Sequence, residues 1–147
     1  MNRYVEEFIN FIVSIVNDEF DYKLDFIDAR YYFIHGGCLL FAQVLKYYLQ
    51  DARIVLNGSL DHIAILYQND YYDATGKIEN DNFQEVSLEY LESYQNQYGR
   101  PEIEINKKFT SQILIQELND CSGNPVFMFL NKIENQKVLC KSEIKNN

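Results

Sequence analysis

The stretch GGCLLFAQVLKYYLQDARIVLNGSLDHIAILYQNDYYDATG, residues 36–76, changes its hydrophobic period partway along, and that change decides the fold class. From Cys38 to Leu49 it is rich in helix formers and holds no Gly or Pro. Apolar residues surround most of this helix, so it should be largely buried. After Asp51 the period shortens toward strands. Arg53–Leu56 is one candidate, and Asn57-Gly58-Ser59 is a turn signal. His62–Tyr67 is the clearest strand in the chain. Gln68-Asn69-Asp70 turns again, and Tyr71–Asp73 returns as the second arm of a hairpin, which Ala74-Thr75-Gly76 ends.

Working outward, Val5, Phe8, Ile9, Ile12, Val13 and Val16 fall at helical spacing within Tyr4–Phe20 and give one apolar face. Asp18–Arg30 is mixed and acidic and reads as a loop with a short helical turn. The aromatic run Tyr31–Ile34 precedes Gly36-Gly37. Val86–Tyr94 and Thr110–Leu118 read as helices, with Thr110 a candidate cap for the second. Breaks fall at Gly99-Arg100-Pro101 and Ser122-Gly123-Asn124-Pro125. Val126–Leu130 is a short apolar run, strand or buried helix. The polar tail Lys141–Asn147 should fray. No repeat or low-complexity linker divides the chain. The expectation is one α+β domain over residues 1–147, with helices packed on a small antiparallel sheet. Its chemistry-bearing core spans about residues 30–80, and residues 81–147 complete the same domain in a role the sequence does not identify.

A chain of 147 residues with 47% hydrophobic and 24% charged residues can bury a core without staples. The formal net charge is -9. An acidic surface repels phosphates, which argues against nucleic acid and against an anionic membrane as partners. The N-terminal MNRYVEEFINF has acidic residues where a signal peptide needs a clean apolar run, and no run reaches membrane-spanning length. A cytoplasmic location is expected, or delivery into a target cell without an N-terminal signal. Cys38, Cys121 and Cys140 form no CxxC pair and no Cys/His zinc spacing. No phosphate loop or metal motif occurs, so no metal and no cofactor are expected.

Only two histidines exist, His35 and His62, so any imidazole base must be one of them. Cys38 opens a helix, and a helix N-terminus favours a thiolate through its partial positive charge and free N–H groups. The same N–H groups can receive a developing oxyanion. Gly36-Gly37 in front of Cys38 would leave room for a substrate backbone to approach. His62 begins a strand and can take the thiol proton. Asp73 ends the neighbouring strand and can orient the imidazole. His35 is the rival base but has no Asp-bearing strand after it. Asp61 is a rival orienter, although adjacent strand residues point to opposite faces. Cys121 and Cys140 have no basic or histidine context and read as structural.

Taken in order, a cysteine at a helix start, a histidine on a strand and an aspartate on the next strand resemble the core of the transglutaminase-like cysteine enzymes, relatives of papain. The elements that carry the resemblance are Gly36 and Cys38, Ala42, Ala52-Arg53-Ile54-Val55, Gly58, His62 with Ile63-Ala64-Ile65, and Asp73-Ala74-Thr75. They cover residues 36–76. Ala74 stands where the family usually has proline, and no tryptophan precedes Asp73. The resemblance implies a papain-like or transglutaminase-like fold and a Cys38–His62–Asp73 triad. It implies acyl transfer from, or hydrolysis of, an amide in a protein or peptide, of the protease or deamidase type. Transglutamination is the alternative, as is an inactive papain-like protein that binds or inhibits. Papain-like enzymes often supply a side-chain amide upstream of the cysteine, but no Gln or Asn lies between Asp18 and Cys38. Gly37, Tyr32 and His35 are the substrate-proximal and oxyanion candidates, with Tyr31 beside them. By analogy, so small and acidic a domain suits a bacterial, phage or toxin-type effector.

Overall fold

The computed structural model describes residues 2–20, 27–98 and 109–146. The break expected at 99–101, and most of the acidic loop expected at 18–30, lie outside the described residues. The first helix, α1 (Arg3–Glu19), buries the six residues that the helical spacing picks out, and the Asn2 side chain caps it by accepting from Tyr4 N–H. The next, α2 (Ala29–His35), is capped by the Asp28 side chain, which accepts from the N–H groups of Arg30 and Tyr31. Asn17 on α1 also accepts from Ala29 N–H at 2.7 Å, joining the two helices at that end. A third helix, α3 (Cys38–Tyr48), buries Cys38, Leu39, Phe41, Ala42, Val44 and Leu45, as its all-round hydrophobicity requires.

Five strands follow, β1 (Arg53–Leu56), β2 (Ile63–Tyr67), β3 (Asp70–Asp73), β4 (Gly76–Ile78) and β5 (Gln84–Glu85). They form one antiparallel sheet in the order β4-β3-β2-β1-β5. Alternate residues of β2 (Ile63, Ile65 and Tyr67) are buried in the main core, together with Tyr72 opposite Ile65. Helix α3 lies against β1 and β2, and α1 lies beside β4. The fold is therefore α+β, with helices packed on a small antiparallel sheet.

Three further helices complete it: α4 (Leu88–Tyr98), α5 (Ser111–Asn119) and α6 (Pro125–Asn146). Thr110 caps α5 through Ile113 N–H, the role its position suggests. Among the described residues no helix is long and apolar enough to cross a membrane.

Some expectations need correction. Ala74 and Thr75 follow the end of β3, as expected, but Gly76 opens a further strand that the sequence reading did not include. Ala74 and Thr75 form the loop of a second hairpin, with Asp73 paired to Gly76. Gly76 has φ +108°, and a Cβ there would lie 2.7 Å from Glu6 Oε2 on α1, so both backbone and packing call for glycine. Helix α4 begins at Leu88 rather than Val86, because Gln84 and Glu85 pair with β1 just before it. The last helix, α6, starts on Pro125, whose fixed φ suits a first helical turn, and its span continues through the polar tail to Asn146.

Phe8 holds three helices together. It is fully buried, and its ring meets Tyr48 of α3 edge-on at 5.5 Å and Phe129 of α6 at 5.7 Å. Phe8→Ala should lower the unfolding free energy by about 3–5 kcal/mol, the usual cost of deleting a buried aromatic ring. Urea denaturation followed by circular dichroism measures this, and a loss below about 1 kcal/mol would show that the three helices do not depend on that ring.

Candidate functional site

The site begins in the β2–β3 hairpin. The register pairs Ile65 with Tyr72, so one further step sets Asp73 opposite Ala64. His62 lies two residues before Ala64, on the same side of the strand. His62 and Asp73 are thus diagonal neighbours on one side of the sheet, within reach of long side chains. His62 Nε2 meets Asp73 Oδ2 at 2.9 Å. The other carboxylate oxygen, Oδ1, accepts from Thr75 N–H at 2.7 Å and from the Thr75 hydroxyl. The turn that leads into β4 therefore clamps the aspartate that holds the histidine.

Cys38 meets this pair from the N-terminus of α3. It is buried, and it lies close enough to His62 to help raise the pKa of the imidazole. With Nε2 committed to Asp73, Nδ1 is the ring nitrogen left to meet the thiol. Thiol, imidazole and carboxylate are gathered in one place: His62 bonds Asp73 and feels the charge of the nearby Cys38. The three residues singled out from the sequence are brought together, although 24 residues separate Cys38 from His62 and 11 separate His62 from Asp73.

Burial opposes the charged imidazolium, but hydrogen bonds and charge from Asp73 and Cys38 outweigh it and push the His62 pKa up to about 9. Burial would raise the Asp73 pKa. The hydrogen bonds from His62 and Thr75, with the His62 charge, overcome that and hold it below the ordinary carboxylate value. Both shifts favour an ion pair, in which imidazolium and carboxylate titrate as one unit.

Asn57 is a component the sequence reading missed. It looks like an ordinary turn residue, yet it is buried. Its Oδ1 accepts from Asp61 N–H at 2.9 Å and His62 N–H at 3.0 Å. Its Nδ2 donates to Asp61 Oδ1 at 2.6 Å and Asp81 Oδ2 at 2.9 Å. Asn57 thereby ties the backbone of His62 to the chain before β5. Leu60, with φ +59°, sits in the same loop in a conformation that a non-glycine residue rarely adopts. The reading of Asp61 as an orienter gives way to this role: it is exposed and bonded to Asn57.

The remaining candidates fall into place around the thiol. A Cβ on Gly37 would lie 2.4 Å from Tyr32 Cε1. The room beside Gly37 is therefore filled by the Tyr32 ring and is not open for a substrate backbone, which corrects the expectation for that residue. Tyr32 is a buried wall of the site. His35 stacks on Tyr31, with ring centroids 4.3 Å apart, at the end of α2. The α3 N-terminus has no side-chain cap, whereas α1, α2 and α5 all have one. Cys121 is half-buried, and its Sγ donates to Glu117 O at 3.5 Å. The side chain of Cys140 lies outside the described residues. Among those residues no group of three or more His, Cys, Asp or Glu is placed to hold a metal ion.

These features define an α+β protein with a thiol, an imidazole and a carboxylate gathered where a helix begins beside a β-hairpin. The chain belongs to the Phage YunG-like protein family, whose model matches residues 8–118. That span contains all three residues and stops short of α6. No curated protein and no solved structure matches the chain.

Two outcomes follow. The His62 pKa is higher in the folded chain than its ordinary 6.5, so its stabilising contribution is complete below about pH 6.5 and is lost as pH rises through about 9. The Asp73 contribution is present above 3.8 and is lost as pH falls through its lowered folded value. Urea midpoints should therefore decline between pH 6.5 and 9, and His62→Gln should flatten that decline. An equal slope in the variant would show that His62 does not carry it. Asn57→Ala strands the N–H groups of Asp61 and His62 and should cost about 1–3 kcal/mol. Its two-dimensional NMR spectrum should show shifted His62 and Asp61 amides. Unmoved amides would remove Asn57 from the site.

Proposed function

We propose that this protein is a thiol hydrolase acting on an amide in a protein or peptide, with Cys38 as nucleophile, His62 as proton carrier and Asp73 as orienter. The observation that carries this reading is that His62 is bonded to Asp73 and lies near enough to Cys38 for the two to interact electrostatically, a combination nucleophilic catalysis can use. The α+β architecture with its thiol at a helix N-terminus supports assignment to the papain-like or transglutaminase-like enzymes. The word phage in the family description is compatible with a viral or prophage effector.

In the first step His62 already carries the proton as an imidazolium, and the Cys38 Sγ attacks as the thiolate beside it, forming a bond to the carbonyl carbon. The carbonyl oxygen becomes an oxyanion. The uncapped first turn of α3 leaves the Cys38 N–H available to that oxygen. The tetrahedral centre then collapses. The C–N bond breaks, and His62 returns its proton to the departing amine. In the second step His62 removes a proton from water, and hydroxide oxygen bonds to the thioester carbon. The C–S bond breaks and Cys38 leaves as thiolate, beside the imidazolium that the proton from water has restored. Throughout, Asp73 holds the ring and stabilises its charged form.

Alkylation with iodoacetamide tests the nucleophile without a known substrate. Cys38 should label at pH 7 faster than Cys121 does in the urea-unfolded chain, and His62→Ala should slow it by at least about tenfold. If folded Cys38 labels no faster than unfolded Cys121, the enzyme reading falls. Where labelling is fast, mass spectrometry of a proteome treated with wild type or Cys38→Ala identifies the reaction: new peptide termini for a protease, a gain of one mass unit at Gln or Asn for a deamidase, cross-links for a transglutaminase. No difference from Cys38→Ala would leave a binding protein with a reactive thiol.

A further inference from the structure

A cavity of about 270 Å³ opens beside the start of α3. The chain on both sides of Cys38 forms part of its wall, with Gly36 and Gly37 before the thiol and Leu39 and Leu40 after it. Tyr32 of α2 lines a second side. Phe109 and Gln112 at the start of α5, with Gln43 one turn along α3, line the rest. Ligand pockets for drug-sized molecules run from about 300 Å³ upward, so this space is the size for one side chain rather than a whole ligand.

Its chemistry is as limited as its size. None of the described lining residues carries a charge, although 24% of the chain is Asp, Glu, Lys or Arg. Hollows elsewhere differ: Lys46, Arg53 and Glu85 line the one beside Tyr47, and Asp70, Lys77 and Glu79 line the one at the β3–β4 edge. A charged side chain entering the cavity beside Cys38 would lose water and meet no counter-charge among the described lining residues. Tyr32, Leu39, Leu40 and Phe109 offer carbon to an apolar stem. The amides of Gln43 and Gln112 can both donate to and accept from a neutral polar head.

We propose that this cavity seats the side chain of the residue whose carbonyl Cys38 attacks, and that it selects an uncharged side chain with an apolar stem, glutamine fitting both parts. The assignment rests on the thiol reading above, and it directs the chemistry to the backbone carbonyl of a peptide. Specificity against acidic and basic residues then arises at the point of attack, from an uncharged hollow in an acidic protein.

Peptidyl acyloxymethyl ketones of the form acetyl-Ala-Ala-Xaa test this, with Xaa as Gln, Leu, Asp or Lys. The thiolate sulfur bonds to the methylene carbon, the carbon–oxygen bond to the leaving carboxylate breaks, and the thiol proton remains on His62. The rate of Cys38 modification is read by intact-mass spectrometry on the full chain. Gln and Leu probes should react at least about tenfold faster than Asp and Lys probes, a ratio equivalent to about 1.4 kcal/mol. Gln112→Glu supplies a charge to the cavity. Gln112 is exposed in the first turn of α5, where a carboxylate suits the helix, so the variant should fold. It should raise the Lys-to-Gln rate ratio and lower the Asp-to-Gln ratio. Equal rates for all four probes, a preference for charge, or ratios unmoved by Gln112→Glu would each overturn the assignment. Iodoacetamide labelling run alongside separates the two failures. Fast, His62-dependent labelling with indiscriminate probes removes only the cavity's role, while slow labelling removes the thiol reading as well.

Discussion

The bond between His62 Nε2 and Asp73 Oδ2 is the constraint around which the site is built. Neither residue would sit comfortably where it does alone. Asp73 is buried between Tyr72 and Ala74, and an unpaired carboxylate there would carry a desolvation cost. His62 and Thr75 offset that cost with hydrogen bonds to both carboxylate oxygens. The pairing also couples two hairpins, because His62 immediately precedes β2 while Asp73 and Thr75 make the corner between β3 and β4. A change that loosened the β3–β4 turn would therefore reach the imidazole, and through it the thiol.

Much of the fold was legible because its central part follows simple periodicities. The span of β1 is the one read from Arg53–Leu56, and β2 and β3 differ from their expected bounds by one residue. Helix α1 buries the six residues that the spacing picks out. Failures came where structure depends on distant partners. Gln84 and Glu85 are both exposed polar residues with no strand pattern, and they form β5 only because β1 leaves an edge to pair with. Gly76 reads as a terminator by local propensity, but the approach of α1 at Glu6 makes it the entry to β4. The polar C-terminal residues continue α6 because no helix breaker follows Pro125 and the helix is anchored by Val126 and Ile133 in the core.

The candidate site divides along the same line. Cys38, His62 and Asp73 could be found because their residue types, order and elements agree with one chemistry. Asn57 could not, because its signal was that of a turn. What distinguishes it is burial with four hydrogen bonds, one reaching Asp81 across 24 residues. Sequence shows two N–H donors and two acceptor lone pairs but not which distant groups will use them. Gly37 illustrates the opposite error. A missing side chain was read as space for substrate, whereas the space had already been taken by Tyr32 from the preceding helix.

That reassignment of Gly37 shows how the thiol itself is placed. The Gly37 N–H donates to Tyr32 O at 2.8 Å, and the Tyr32 ring covers the position a Cβ would occupy, so α2 turns into α3 through a tight, filled elbow. One residue later stands Cys38. On the other side of the site, Asn57 holds the backbone of His62, and Asp73 holds its ring. Thiol and imidazole are thus located by two separate clamps, one made of packing and one of hydrogen bonds. The packing of α3 on β2 is what joins them. A cysteine side chain extends only one atom beyond Cβ, so it cannot compensate for a displaced helix by changing rotamer alone. The helix–sheet packing must set the distance between thiol and imidazole. The buried aliphatic residues of α3 and β2 are for that reason part of what positions the proposed site, although none of them carries a titratable group.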